Sequence, residues 1–385
     1  MKFLFAPDSF KGSLSAAEAA EMLDKACKKI FHAAKTILVP VADGGEGTVD
    51  SFVTAAKGMY GEYEVTGPLK EMTTAKYGII NNGKTAVIEM AQASGLPLIP
   101  AYKRDPLNST SKGTGELIAH VLDKGINDLI VGIGGSATND GGMGMLSALG
   151  VKFYDKDNNI LFGCGKDLIK VTHIDLSGMN EKIKKASITV ICDVTNLLLG
   201  ENGATYIYGP QKGADESALL HLEEGMKNYA KVFYQEHGVD ISSFNGAGAA
   251  GGMGGVLKGV LEASLKPGIE AVLDAVSFED LLKDVDLVIT GEGFIDSQSV
   301  KFGKVPAGVA KRCKRYGIPV AIIAGGMGEG AEEIYDIADT TIMTTINASM
   351  PIDKAIENAK PLFMGAAERL FRGIKIGMEI SERSK

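Results

Sequence analysis

Short runs rich in Val, Ile and Leu recur along the chain, and segments with helical spacing separate them. The runs fall at residues 3–6, 37–41, 128–133, 188–191, 286–290, 320–324 and 341–345. They are apolar on both faces, as parallel strands covered by helices on both sides are. The intervening helices have legible ends. Ser15 and Glu18 form a capping box that opens a helix running to about residue 34. A helix over 114–124 stops at Gly125, and one over 306–316 has Pro306 just inside its start and Gly317 just past its end. A further helix over 353–371 ends near Gly373. Alternation of this kind predicts an α/β fold, with a Rossmann-like doubly wound parallel sheet.

Two regions depart from the rhythm. Residues 61–90 read as strands joined by turns, with Asn82-Gly83 as a hairpin signal, and residues 151–161 repeat the theme with a turn at 155–158. Hairpins fit a second, inserted α/β domain. With 385 residues the chain has length for two domains. The reading assigns 1–60, 106–148 and 280–385 to the discontinuous Rossmann-like domain. It assigns 61–105 and 149–279 to the second, with a helix around 215–236.

Composition excludes several classes. Hydrophobic residues at 45% leave ample surface to bury, against a disordered chain. No apolar run approaches the roughly 20 residues that span a bilayer. A net charge of −8 has the wrong sign for nucleic acid or an anionic membrane surface. The four cysteines lack C-x-x-C spacing, and the N-terminal apolar stretch is too short for a signal peptide, so a cytoplasmic location is expected. Glycine is abundant, at 49 residues, where ~7% of a chain is usual.

Those glycines cluster with charged residues directly after the predicted strands. The clusters are Asp8-Ser9-Phe10-Lys11-Gly12, Asp43-Gly44-Gly45-Glu46-Gly47, Gly134-Gly135-Ser136 continuing through Asn139-Asp140, Cys192-Asp193, Gly291-Glu292-Gly293 and Gly325-Gly326. In open α/β sheets ligands bind at the carboxyl ends of strands. Glycine turns leading into helices make anion sites, most often for phosphate. Lys11, Lys212 and Lys304 could neutralise phosphate oxygens. Asp8, Asp43, Glu46, Asp140, Asp193, Glu292 and Asp296 could hold Mg²⁺. Together these are the ingredients of phosphoryl transfer. Asp193 is singled out because it ends an apolar strand, where a charge is costly without a partner or a task. Neither a P-loop motif nor a G-x-S-x-G elbow is present. Gly132-Ile133-Gly134-Gly135-Ser136-Ala137 matches a dinucleotide fingerprint, with Asp155 or Asp157 about 20 residues on. That match supports a competing reading as an NAD(P)-linked oxidoreductase acting on a small hydroxy acid. A non-catalytic sugar-acid sensor is a third.

The motif set as a whole resembles the bacterial glycerate kinase type 1 family. The resemblance rests on residues 6–15, 42–48, 132–142, Cys192-Asp193-Val194 with Asn196, 209–213, 246–252, Gly291-Glu292-Gly293 with Asp296 and Gln298, and Gly303-Lys304 with Pro306 and Gly308, in the family's order. The family usually has Asn-Pro-Leu where this chain has Asn196-Leu197-Leu198, and a polar or basic residue where Phe294 stands. It is also one residue shorter between Gln298 and Gly303. The resemblance implies ATP-dependent phosphorylation of D-glycerate, commonly to 2-phosphoglycerate, with Mg²⁺, in a cleft between two α/β domains. On that basis Asp193 is the expected base with Asp296 as rival, and Lys11 contacts the transferring phosphoryl group or the glycerate carboxylate. Asp43, Glu46 and Asp140 are the expected metal ligands. Asp8, Ser9, Gly44, Gly45, Gly134, Gly135, Ser136, Asn139, Lys212, Gly248, Gly251, Glu292 and Lys304 are the expected substrate- or nucleotide-binding residues. No nucleic-acid or membrane partner is expected, and homo-oligomerisation is left open.

Overall fold

The computed structural model describes residues 1–10, 12–41, 47–301 and 303–383. The chain divides into two compact units: Met1–Asp43, Thr54–Ala56 and Ile269–Lys385 form the first, Gly44–Val53 and Lys57–Gly268 the second.

The first unit is built on a wholly parallel sheet in the order Lys35–Leu38, Lys2–Pro7, Leu287–Ile295, Val320–Met327, Thr340–Thr344. Counted along the unit this is 2-1-3-4-5, a doubly wound order. Phe3, Phe5, Ile289, Ala321 and Ile323 share a core with the helices Ala16–Ile30 and Ala359–Arg383. The ring of Phe371 stands edge-on at 5.6 Å from Phe3 and 6.1 Å from Phe5. The helix Val305–Lys314 packs on the three middle strands as well. Within it Arg312 is buried and donates to Glu270, Asp274 and Glu279, the Asp274 contact being 2.7 Å.

Local signals set several boundaries, and packing moves others. The capping box forms, with the Glu18 N–H donating to Ser15 Oγ at 3.2 Å and Ser15 N–H donating to the Glu18 carboxylate at 3.0 Å. The helix ends at Ile30 rather than near residue 34, because Phe31 leaves helical geometry and its ring packs at 5.6 Å from Phe3. The helix expected over 353–371 is two, Ile352–Glu357 and Ala359–Arg383. The second runs through Gly373, whose helical penalty of about 0.5–1 kcal/mol is too small to stop it.

The second unit carries a six-stranded sheet in the order Ser264–Lys266, Ser187–Ile191, Asp128–Gly132, Thr85–Glu89, Met72–Ile80, Met59–Thr66. The last three strands are joined as antiparallel hairpins, with Asn82 and Gly83 at positive φ in the second turn. The rest are parallel. This corrects the expected grouping of 106–148 with the Rossmann-like domain. Asp128–Gly132 pairs with Thr85–Glu89 on one side and Ser187–Ile191 on the other, so the segment belongs to the second unit. Residues 44–53 and 57–60 belong there too, and 269–279 to the first. The expected hairpin over 151–161 is reduced to a bridge between Tyr154 and Ile160. The strand Lys152–Tyr154 pairs instead with His173–Asp175. Among the described residues no helix is long and apolar enough to cross a membrane.

Arg312 gives a test of the first unit. Replacing it by Met leaves three carboxylates around an apolar side chain, a loss of roughly 3–5 kcal/mol where both partners are buried. The carboxylates here reach solvent, so Arg312→Met is expected to cost about 2–4 kcal/mol in urea unfolding. A loss below about 0.5 kcal/mol would mean that water already screens the cluster.

Candidate functional site

In the first unit the strand order reverses between Lys2–Pro7 and Leu287–Ile295. Ligands bind outside the carboxyl ends of strands at such a switch point. The register Pro7↔Gly291 sets Asp8 beside Glu292, and the Asp8 N–H donates to the Gly291 carbonyl at 2.8 Å. Both carboxylates are buried, Asp8 at 5% and Glu292 at 6% exposure, yet both line a cavity of about 400 Å³. Ser9, Lys304, Gly325 and Gly326 line it too. Its remaining lining is mostly apolar, from Phe10, Leu14 and the segment around 346–363, with Ser13 and Thr345 as further polar residues.

The glycines here do something other than expected. Residues 291–293 and 325–326, expected to follow the strands, continue them as paired strand, with Glu292 opposite Ala324 and Phe294 opposite Gly326. A Cβ on Gly291 would lie 2.1 Å from the Ile323 carbonyl oxygen, so only glycine lets the two strands stay paired to the cavity's edge. Phe294, in this strand, is 55% exposed and also lines the cavity. Lys304 is exposed and stands at the N-cap of the ten-residue helix Val305–Lys314. Asp296 accepts the Ser299 N–H at 2.8 Å. That bond, the Ser299 hydroxyl and the Lys304 charge hold its carboxyl below the usual range.

In the second unit the loop after Asp128–Gly132 closes on itself. Asp140 is fully buried and accepts the N–H and the hydroxyl of Ser111, each at 2.7 Å, and the N–H groups of Gly142 and Gly144. Burial raises its pKa against those bonds. Both its oxygens are engaged in protein hydrogen bonds away from solvent. Lys212 bonds to the same loop. It is buried, and its Nζ donates to Ser136 Oγ at 2.8 Å and the Thr138 carbonyl at 2.6 Å. Desolvation pulls its pKa down to about 7. Above that pH the neutral amine has two N–H bonds, and these two acceptors match them. The buried Asn139 donates to Thr205 Oγ1 at 3.2 Å.

The run 246–252 packs against this loop instead of forming an open cradle. A Cβ on Gly251, at φ +65°, would meet the Thr138 carbonyl at 2.1 Å, and the Gly248 N–H already donates to the Asn196 carbonyl. Gly134 and Gly135 do reach the surface, with Gly135 at φ +71°. The dinucleotide fingerprint over 132–137 lacks its context. The next helix is the short Met143–Ala148, and Ser136 bridges Gly95 in extended form, so no helix N-terminus stands over the glycines.

Asp193 is exposed, with Oδ1 accepting the Gly268 N–H at 3.0 Å. Its charge is therefore not buried, and its carboxylate is accessible from solvent. Lys11, Asp43, Gly44, Gly45 and Glu46 lie outside the described residues. One carboxylate was missed. Glu89 ends the buried strand Thr85–Glu89 and accepts the N–H groups of Gly47 at 3.2 Å and Val49 at 3.4 Å, at the start of the helix Thr48–Ala55. An ionisable residue closing an apolar run was the available signal.

The buried lysine has a pH signature. Between pH 7 and its unfolded pKa of 10.5, the unfolded chain holds a proton that folded Lys212 has released. Stability at this group therefore rises with pH across that window. Thermal unfolding of wild type and Lys212→Met should diverge in favour of wild type from pH 7 to 9.5. A constant difference would refute the neutral buried amine.

A family model described as "Glycerate kinase family" matches residues 3–375. The glycerate 2-kinase of Escherichia coli (strain K12) is 47% identical, over 98% of this chain and 99% of its own length. The glycerate kinase of Bacillus subtilis (strain 168) is 46% identical, over 98% of each. A crystal structure of a candidate glycerate kinase 2 from Salmonella typhimurium LT2 superposes with a TM-score of 0.89 at 43% identity, over 98% of this chain and 99% of that one. With that match along nearly its whole length, the chain belongs to the glycerate kinase family.

Proposed function

We propose that this chain is an ATP-dependent glycerate kinase that transfers the γ-phosphoryl group to the 2-hydroxyl of D-glycerate, giving 2-phosphoglycerate and ADP. The observation that carries the reading is the pair Asp8 and Glu292, two buried carboxylates opening on one cavity at the switch point of a doubly wound sheet. The name of the Escherichia coli relative, glycerate 2-kinase, supports the 2-position.

In phosphoryl transfer the protein positions the reactants and neutralises developing charge. Asp8 and Glu292 fit Mg²⁺, which takes hard oxygen donors and is commonly held by one or two carboxylates plus substrate phosphates. When bound, the ion would neutralise the β- and γ-phosphate oxygens. Asp43 and Glu46 carry over as further metal candidates, and Lys11 as a contact to the transferring group. Lys304, at a helix N-terminus on the cavity wall, supplies a cation and a favourable dipole for phosphate. Ser9 and the backbone at Gly325–Gly326 add polar groups beside it. The exposed Gly134–Gly135 turn is retained as a contact for the substrate carboxylate.

Asp193 is proposed as the base that takes the hydroxyl proton, because its carboxylate is accessible at the carboxyl end of a parallel strand. Asp296 suits that task less well. N–H donors and Lys304 hold it ionised at low pH, which makes it a weak proton acceptor. It is better placed to fix Lys304.

Phosphorus NMR of a mixture of Mg-ATP, D-glycerate and protein tests the activity. A phosphomonoester doublet, from one neighbouring C–H, is the expected product signal. A triplet would move the transfer to the 3-hydroxyl, and ADP without any phosphoglycerate signal would refute the reading. The base assignment is tested by steady-state kinetics. Asp193→Asn should lower kcat by about 10²–10⁴ with unchanged unfolding, and Asp296→Asn by less than about tenfold. The reverse ranking would exchange their roles.

A further inference from the structure

The cavity at the first unit's switch point has two chemically different ends. Asp8, Glu292 and Lys304 make one end charged. The other has no charged side chain among its described lining residues. Its floor is the pair Phe10 and Phe363, with ring centroids 5.1 Å apart and an interplanar angle of 85°. Its wall is one face of the helix Ile352–Glu357, through Ile352, Ala355 and Ile356.

That wall is unusual in what it leaves uncovered. Ile352 is 67% exposed and Ile356 42% exposed, though both face a concave site and lie one helical turn apart. Phe10 and Phe363, which line the same cavity, are buried in the core. Large apolar groups left to water beside a polar crevice mark a place where an apolar ligand surface is missing. Among the reactants of a kinase only one group has such a surface. Every carbon of glycerate bears oxygen, and the triphosphate and ribose are polar. The nucleobase is flat, with two apolar faces.

We propose that the apolar end of this cavity is the slot for the base of the nucleotide. The base lies against Ile352 and Ile356, over the phenylalanine floor, and its phosphates run toward Asp8, Glu292 and Lys304. The slot is continuous with the charged end, and a total of about 400 Å³ is within the usual range of small-molecule sites. This assignment rests on the kinase reading above and adds which residues recognise the base.

The test separates base contact from phosphate contact. ADP and inorganic tripolyphosphate, each with Mg²⁺, are titrated calorimetrically into wild type and the double variant Ile352→Asn/Ile356→Asn. Both positions are open to solvent, so folding should be unaffected, and a thermal midpoint checks this. Ile352→Asn alone gives the same readout if the double variant is unstable. The Kd of ADP is expected to rise about tenfold or more, with that of tripolyphosphate unchanged and the KM of D-glycerate unmoved. Unchanged ADP affinity overturns the proposal. So does equal weakening of ADP and tripolyphosphate, which would put the effect on the phosphates. Loss of ADP affinity in Phe294→Ala but not in the isoleucine variants would also overturn it, since the base would then stack on the exposed Phe294 ring. Should wild type bind ADP in the expected pattern yet make no phosphoglycerate, the slot stands and the glycerate reading fails.

Discussion

The parallel pairing of Lys2–Pro7 with Leu287–Ile295 is the constraint on which the first unit depends. It joins strands far apart in the sequence and sets two carboxylates side by side at the sheet's reversal point. Closing so long a loop is cheaper than it looks, because each doubling of loop length adds only about 0.6 kcal/mol. In the sequence, most of the second unit is inserted between two strands that pair in the first, at modest entropic cost. The pairing also needs Gly291. With any side chain there, the strand could not remain bonded to Val320–Met327 up to the residue that presents Glu292.

The two units use their glycines and buried ionisable groups differently. In the first, the buried carboxylates Asp8 and Glu292 line an open cavity. In the second, Asp140 and Lys212 are buried in a closed network that uses their hydrogen-bonding capacity on the chain itself. Gly251 and Gly248 serve the same closure by letting backbone pass against backbone. The two environments have separate consequences: the first presents chemistry to a ligand, and the second holds a loop rigid at the end of a parallel strand.

Much of this was legible in the residues. Strand–helix alternation predicts the α/β class, the Ser15–Glu18 box marks a helix start, and Asn82-Gly83 marks a hairpin turn. All three recur in the structure. Asp8, Glu292 and Lys304 were among the candidates because they follow or flank predicted strand ends, and the fold gathers them around one cavity. Asp140 also follows a predicted strand end, and the fold buries it, as it does Lys212. A motif states which groups stand near a strand end, but the packing of the next loop decides which way they face. Glu89 and the Ile352–Ile356 wall were passed over because neither lies in a glycine cluster.

The order of residues alone determined the alternating elements, their local caps and turns, and the stock of carboxylates, lysines and glycines at strand ends. These follow from periodicity and backbone preference, which act within a few residues. Only the tertiary structure decided that residues 106–148 join the second sheet, that Asp193 is exposed while Asp140 is not, and that an apolar slot continues from Asp8 and Glu292. Those outcomes depend on contacts between segments distant in the chain. Parallel strands carry no short-range mark of which neighbour they will pair with.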